Sequence, residues 1–494
     1  MKKTSRKFRL SKGVKASIAF FLASVVTSGI SYIVTPIYTN LLTTDEYGKT
    51  SVFMTWLQVF GIVAMFCLSY GVFNNGMCDY PDKRDDYSFS MLILSNIITL
   101  AFFGVLLAIY PLISQFLNME IPLILLMMAV CFVQPAMNFW VTRQRYEYKY
   151  KAVFFWSLVR AVLSPLTAVV LMLNAEQGSR LYPRIFGAEC SLIVIYIGFY
   201  IYLGIKNKWK INTGYWKAAF LFNLPLILHY LSTYLLGSSD KIMISHLVSD
   251  SATAFYSVAY SIAAIATILW SAINSSLIPY TYEKCKEKNF GDINKVTLPL
   301  IALFAVGCVV VIMLAPEAVM IVATDEYMEA IYVIPPVVGG VFFQVQYYIY
   351  ANVVYYYKKP KYVMLGSLIA VSLNIVLNYF CIKQWGYMAA GYTTLFCYAV
   401  QAMIDYLAMR KVVGKNIYNM KVIMALSAAV IGISIASIFV YDNVIIRYLI
   451  LSAIFVLLVV FRKKIIAAFS FKKKKRPYAE QNLKDEVINE SIDT

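Results

Sequence analysis

The 494-residue sequence predicts an all-α polytopic membrane protein with 14 transmembrane helices: two parallel six-helix repeats plus two C-terminal helices. Three observations predict it. Fourteen stretches with few or no charges are each long enough to cross a bilayer, the basic residues collect on alternate connections, and the chain resembles itself at an offset of about 205 residues. Crossing the hydrocarbon core by helix takes about 20 apolar residues. A composition that is 60% hydrophobic and 14% charged excludes a soluble globular class.

Taken in order, the helices are expected at 17–39, 50–72, 88–111, 121–141, 152–174, 184–205, 218–247, 253–279, 296–315, 330–356, 362–382, 386–409, 421–440 and 443–461. The first is too long for the apolar region of a signal peptide, and no cleavage site follows it, so it serves as its own insertion signal. The seventh is long enough for its outer end to leave the membrane. Pro36, Pro165, Pro225, Pro279 and the Pro335–Pro336 pair interrupt helices. Broken helices commonly line transport cavities and allow two bundles to rock.

The charge pattern gives the orientation. Of 44 Lys and Arg, 37 fall on the amino tail, the even-numbered connections and the tail after the last helix. Six fall on the other side: Lys49, Arg180, Arg184, Lys241, Lys383 and Arg447. Arg160 is left over, inside the fifth helix. Cytoplasmic loops attract Lys and Arg, so both termini are expected in the cytoplasm. The net charge of +18 is then a matter of topology, and no nucleic-acid partner is expected. The run KKKKR at 472–476 suits anionic membrane lipids instead. The eight cysteines lie in helices or on the cytoplasmic side and form no CxxC pair, so neither a disulfide nor a metal site is expected. Residues 478–494 are polar and read as a disordered tail.

The repeat rests on three matches in the same order. LLTTDEYGKTSVF (41–53) matches HLVSDSATAFYSVAY (246–260), KAVFFWSLVRAVLS (151–164) matches KYVMLGSLIAVSLN (361–374), and YPRIFGAECSL (182–192) matches GYMAAGYTTLF (386–396). An offset of six helices preserves orientation, so the halves are parallel repeats about an axis normal to the membrane, flanking a central cavity. The domains are therefore a basic tail at 1–15, six-helix halves at 16–210 and 211–412, helices 13 and 14 at 413–462, and a basic then polar tail at 463–494.

The same residues carry a family resemblance. SSDKIMISHLVSDSATAFYSVAYSI (238–262) resembles the seventh-to-eighth helix signature of polysaccharide exporters in the multidrug/oligosaccharidyl-lipid/polysaccharide superfamily. SYIVTPIYTNLLTTDEYGKTSVF (31–53), YMEAIYVIPPVVGGVFF (327–343), NIVLNYFCI (374–382) and WGYMAAGYTTLFCY (385–398) resemble its other helices in order. The resemblance implies a MATE-like fold and a Wzx-type flippase. Such a protein carries undecaprenyl-pyrophosphate-linked oligosaccharide repeat units from the inner to the outer leaflet. It also implies a polysaccharide polymerase and glycosyltransferases as working partners.

Charges inside a membrane cost roughly 2.5–3.5 kcal/mol by insertion measurements and so mark candidate sites. Arg160 lies about eight residues up the fifth helix, and its repeat mate is the apolar Ala370. Its guanidinium fork suits a pyrophosphate; a structural tie and snorkelling are the other readings. Asp240 and Lys241 are either a gating ion pair or a solvated helix mouth. His229 is a packing residue or a proton or phosphate group. Glu189 is a candidate for a coupling cation, and Asp405, five residues from Arg410, for an ion pair at the cytoplasmic end. Phe343, Gln346, Tyr347 and Tyr350 share one helix face that either stacks on sugars or packs in the core.

No cofactor is expected beyond a coupling ion, H+ or Na+. Three other readings compete with the flippase. A cation-coupled drug exporter would want carboxylates deep in the cavity, and a lipid II flippase is a sister branch. A membrane-embedded transferase would need a long outward loop with catalytic residues. The longest outward connections here are about a dozen residues, and His occurs only at 229 and 246. The expectation is therefore a transporter and not an enzyme.

Overall fold

The computed structural model describes residues 12–147 and 149–469, and all regular structure within them is helical. The amino tail to residue 11 and the carboxyl tail from 470, with its basic run, lie outside the described residues. In chain order the helices are α1 (Lys12–Leu41), α2 (Thr44–Ala64), α3 (Val72–Asp79), α4 (Arg84–Ala108), α5 (Tyr110–Leu117) and α6 (Ile121–Tyr146). They continue as α7 (Tyr150–Leu173), α8 (Leu181–Lys206), α9 (Trp216–Leu236), α10 (Ser239–Leu247), α11 (Asp250–Lys286) and α12 (Phe290–Met313). The last are α13 (Ala315–Val322), α14 (Ile334–Tyr356), α15 (Pro360–Trp385), α16 (Met388–Val413), α17 (Met420–Ala436) and α18 (Val444–Phe469). Each of the predicted stretches holds a long helix. Among the described residues, ten helices are, by length and composition, apolar enough to cross a membrane. This is a multi-pass membrane protein.

Two of the predicted helices are broken. The second, expected to run to residue 72, stops at Ala64. The chain then turns through Phe66 and Cys67, at φ 56° and 49°, before α3 begins. Left-handed backbone costs a side-chain-bearing residue roughly 1–2 kcal/mol, and the break frees main-chain groups inside the bundle. Asn223 of α9, wholly buried, takes up two of them. Its Nδ2 donates to the Phe66 carbonyl at 3.1 Å and its Oδ1 accepts from the Val72 N–H at 3.2 Å. Gly71 makes room for this arrangement, since a Cβ there would lie 2.8 Å from Asn223 Oδ1. The seventh predicted helix breaks at Gly237–Ser238 into α9 and α10. Its outer part does not leave the bundle, because α10 packs against α2, α11 and α15.

The apolar cores divide between the two ends of the chain. One cluster runs from Leu236 to Tyr441, and others take in Phe66 to Ile227 and Val52 to Ile242. Helix α9 contributes Ala219 and Ile227 to the earlier core and Leu236 to the later one. Helix α7 packs on α8, and α15 packs on α16. Where the two sets of helices meet, α2 lies against α11 and α10.

The end assigned to the outside by charge is closed by direct contacts. A capping box between Thr43 and Glu46 starts α2, and Glu46 also accepts from the Arg180 N–H at 2.6 Å. Behind it, Gly48 lies so close to α11 that a Cβ would sit 1.8 Å from the Asp250 carbonyl oxygen. Thr44 donates to Ser251 at 3.1 Å, Thr39 to the Val322 carbonyl at 3.2 Å, and Tyr47 meets Tyr327 edge-on at 5.8 Å. At the other end Arg143 of α6 pairs with Asp85 of α4 and with Glu147 at 2.7 Å, while Lys149 reaches Glu147 at 2.5 Å. The appended α18 is tied in by Arg447, which donates to both oxygens of Glu317 at 2.8 Å and to the Met313 carbonyl at 3.1 Å.

Candidate translocation cavity

A cavity of about 680 Å³ opens between α1, α2, α6, α7 and α8, with α9 and α10 closing its far side. Its wall is rich in hydroxyls, among them Ser31, Thr35, Ser51, Thr55, Ser157 and Ser164. Four charged side chains line it: Arg160, Arg184, Glu189 and Lys241. A second space of about 380 Å³ shares Arg160, Ser157 and Thr27 with it and continues past Asn74 and Arg145. A third, of about 450 Å³, shares Gln58 and Tyr234 with the first and runs between the two sets of helices. The shared residues set the three spaces next to one another along one path between the helices.

Arg160 sits at the junction of the first two spaces, half-buried, with Glu189 and Tyr196 beside it. Glu189 is 5% exposed and faces Arg184 as well as Arg160. Arg184 lays its guanidinium over the ring of Tyr38 at 3.9 Å, a cation–π contact. Its Nε and Nη1 are buried and have no hydrogen-bond partner. Lys241 reaches the same cavity from α10, with its Nζ 5.8 Å from the centre of the Tyr260 ring. Three cations and one carboxylate thus line one hydroxyl-rich space, leaving a positive excess to meet an anion.

The structure separates Asp240 from Lys241. Neighbours on a helix point about 100° apart, and neither expected arrangement, an ion pair between the two or a solvated helix mouth, is present. Asp240 is wholly buried. Its carboxylate accepts from Asn378 Nδ2 at 2.6 Å, from Thr394 Oγ1 at 2.7 Å and from the Tyr256 hydroxyl. Asn374 joins this cluster by donating to Thr394 at 2.9 Å and accepting from Ser239 at 3.2 Å, and Thr393 donates to Asn378 Oδ1. These hydrogen bonds tie α10, α11, α15 and α16 together.

Other expected site residues stand away from the path. Gln346, Tyr347 and Tyr350 are packed in the core, not on the cavity wall. Gln346 donates to Ser427 of α17 at 2.9 Å, and the Tyr350 ring meets those of Tyr406 and Tyr418. The face of α14 that lines the cavity carries Val337, Val341 and Gln344. Gln344 is two residues from Gln346, about 200° round the helix, so aromatic spacing selected the opposite side. His229 is half-buried beside Tyr230 with no partner for its buried Nδ1, whereas Tyr230, Thr233 and Tyr234 of the same helix do line the path. Asp405 does not pair with Arg410. It is wholly buried, and neither oxygen has a hydrogen-bond partner. Arg184, counted from sequence as an outward helix mouth, is the cavity residue that pattern reading missed. Helix α8 begins at Leu181, which carries Arg184 inside.

These features define a class: a membrane transporter whose bundles close around a central polar cavity. The comparisons agree. The fold is similar to that of a lipid II flippase, MurJ, in an inward closed conformation, at 15% identity and a TM-score of 0.65, covering 92% of this chain and 100% of that one. It is also similar to an inward-facing multidrug resistance MATE family transporter of the MOP superfamily, at 13% identity and a TM-score of 0.58, over 78% of this chain and 94% of that one. Protein 1 of the Lsg locus of Haemophilus influenzae is 22% identical over 401 residues, 76% of this chain and 94% of its own. A model of the MatE family matches residues 225–380. The polysaccharide biosynthesis protein family model matches residues 14–284, and the chain belongs to that family.

Proposed function

We propose that this protein is a flippase for undecaprenyl-pyrophosphate-linked oligosaccharide repeat units. By this reading it moves them from the inner to the outer leaflet of the bacterial cytoplasmic membrane by alternating access. The observation that carries the proposal is the cavity. Arg184 keeps two buried donors unpartnered, and Arg160 and Lys241 point into the same space. Buried donors are normally satisfied, so unpaired ones beside a cavity are placed for an arriving acceptor. A pyrophosphate supplies such oxygens in a geometry that a guanidinium fork matches. The hydroxyl-rich wall suits sugar hydroxyls.

The Asp240 cluster is the place for coupling. Its carboxylate, amide and hydroxyl oxygens lie close together in the half opposite the charged cavity, and exchange of H+ or Na+ there would bias one conformation over another. Glu189, ringed by Arg160 and Arg184, is better employed in holding those cations in place between substrates.

Loss of the protein should leave complete lipid-linked units stranded in the inner leaflet while surface polysaccharide falls. Finding the accumulated units on the outer face would overturn the reading. A second reading, a drug exporter of the same fold, draws on the MatE match and on Glu189 in the cavity. It requires sensitivity to cationic dyes with polysaccharide intact. A lipid II flippase would instead stop peptidoglycan synthesis.

A further inference from the structure

We propose that the tyrosine-lined space between the two sets of helices is a carbohydrate subsite, and that the sugars it takes are uncharged. This rests on the flippase reading above and adds to it the place and the chemical class of the glycan. The space, of about 450 Å³, shares Gln58 and Tyr234 with the charged cavity. A sugar joined to a pyrophosphate held in that cavity would therefore enter it first. Its volume falls within the roughly 300–1,000 Å³ of small-molecule sites, enough for a short run of sugar rings. Among the described residues, none that lines it is charged.

Five tyrosines supply its rings: Tyr70 from the link between α2 and α3, Tyr230 and Tyr234 of α9, Tyr260 of α11 and Tyr398 of α16. Tyr70 and Tyr230 meet at 5.2 Å where the two sets of helices face each other. A pyranose turns a face of C–H bonds toward the negative face of such a ring. Ala263, Ala264, Val337 and Val341 add apolar surface. The amides of Gln58 and Gln344 have no hydrogen-bond partner among the described residues. Each amide offers both donors and an acceptor to sugar hydroxyls, and Thr233 and Thr267 add hydroxyls of their own.

Other occupants fit this wall less well. A lipid chain would leave the amides and hydroxyls facing hydrocarbon, which is costly. An anionic sugar would leave water without a counter-charge in the wall to receive it. A cation, the cargo of a drug exporter, has tyrosine faces to lie on. It is repelled, however, by Lys241, whose Nζ is 5.8 Å from the centre of the Tyr260 ring, and by Arg160 and Arg184 in the adjoining cavity. A cationic space that opens into an uncharged one matches a cargo with an anionic head joined to a neutral glycan.

The probe is the oligosaccharide that mild acid hydrolysis releases from the lipid-linked unit accumulating in cells without the protein. Tyr70 is exposed and Tyr230 and Tyr260 are half-buried, which leaves all three open to hydroxyl-radical oxidation of the purified protein, read by mass spectrometry. At ten times its dissociation constant the probe fills roughly nine-tenths of the sites, so oxidation of these tyrosines should fall about five- to tenfold. Tyr38 and Tyr196, on the wall of the charged cavity, should be oxidised as before. Gln344→Leu and Thr267→Val should each weaken probe binding about three- to tenfold, the range of one neutral hydrogen bond. Their stability and their response to inorganic pyrophosphate should match the parent's. Sugar analysis should find no uronic acid or other charged sugar at the reducing end of the probe. The proposal is overturned by unprotected tyrosines, by full affinity in both variants, by a charged sugar at that end, or by the same protection from tetraphenylphosphonium. If no unit accumulates, the flippase reading falls and the subsite with it, whereas failure of the sugar test alone leaves that reading standing.

Discussion

Replacing Arg184 should make the protein more stable and less active at the same time. In the structure its Nε and Nη1 are buried without partners. Each unmade hydrogen bond of this kind costs about 1–3 kcal/mol. Against that stand the stack on Tyr38, worth about 0.5–2 kcal/mol, and an attraction to Glu189 that Arg160 would partly retain. An Arg184→Met change keeps much of the apolar stem and removes the unmet donors, so the net gain is on the order of 1–2 kcal/mol. In a chain of this size that amounts to a rise of a few degrees in the unfolding temperature of the detergent-solubilised protein.

Transport should move the other way. Two guanidinium hydrogen bonds to a pyrophosphate, at about 1.5–3 kcal/mol each, are lost. Surface polysaccharide from Arg184→Met should therefore fall roughly tenfold or more, with the protein present in the membrane at its usual level. Inorganic pyrophosphate is the probe for binding. At a concentration ten times its dissociation constant it should stabilise the parent by about 1.4 kcal/mol. It should leave Arg184→Met unmoved. A variant that loses stability would make Arg184 a structural tie, and one that exports normally would remove it from head-group binding. Either result refutes the reasoning.

Further outcomes follow from the same geometry. Arg160→Ala should cut export strongly at normal protein level, and Arg160→Lys should restore only part, because it keeps the charge without the fork; full export by Arg160→Ala would exclude it. Cysteines placed singly at Thr44 and Ser249 should react with an external impermeant reagent, and those at Asn207 and Asn289 should not; the reverse pattern would invert the orientation. Asn223→Leu should lower stability by about 1–4 kcal/mol, since two main-chain groups at the break after α2 lose their partner; an unchanged unfolding temperature would show that water serves them. At the cytoplasmic end burial raises the Glu147 pKa, but Lys149 and Arg143 outweigh it and bring it to about 2. A depressed pKa stabilises above the unfolded value of 4.5, so this contribution should be complete at neutral pH and fade only as pH falls from there toward about 2. Glu147→Gln should remove that acid-range slope, measured by unfolding in detergent.

How far the sequence disclosed this molecule depends on which physical signal each residue leaves. Helix positions were legible because bilayer thickness imposes length and apolarity on every crossing. The breaks after Ala64 and at Gly237 were not, because the residues that tolerate them are distant in sequence: Asn223 repairs the first from 157 positions beyond Phe66. Charged cavity residues were half legible. Arg160, Glu189 and Lys241 stood out as charges within apolar runs, and the structure brings them together. Arg184 looked like a helix mouth because an outward-side basic residue near a predicted boundary fits the topology without a site.

Asp405 and the α14 aromatics carry the opposite lesson. A charge near a helix end with Arg410 in reach fits an ion pair, yet the side chain is turned into the bundle, where Gly366 makes room for it: a Cβ there would lie 3.3 Å from Oδ1. Direction round a helix, not position along it, decides whether a polar residue meets the cavity. That direction is set by which faces pack, and tyrosines blur it, since a buried face and a sugar-binding face have the same composition. The buried Asp240 cluster extends the point. Its members Asn374, Asn378, Thr393 and Thr394 are individually unremarkable small polar residues on α15 and α16. Only their convergence on one carboxylate from α10 makes a site. Arg160 and Arg184 lie in one half and this carboxylate in the other, while Lys241, its neighbour in sequence, faces the same cavity as the two arginines. A one-residue step along α10 therefore links the place proposed for cargo to the place proposed for the coupling ion. Movement of this short helix, set off from α9 by the break at Gly237–Ser238, would be felt at both.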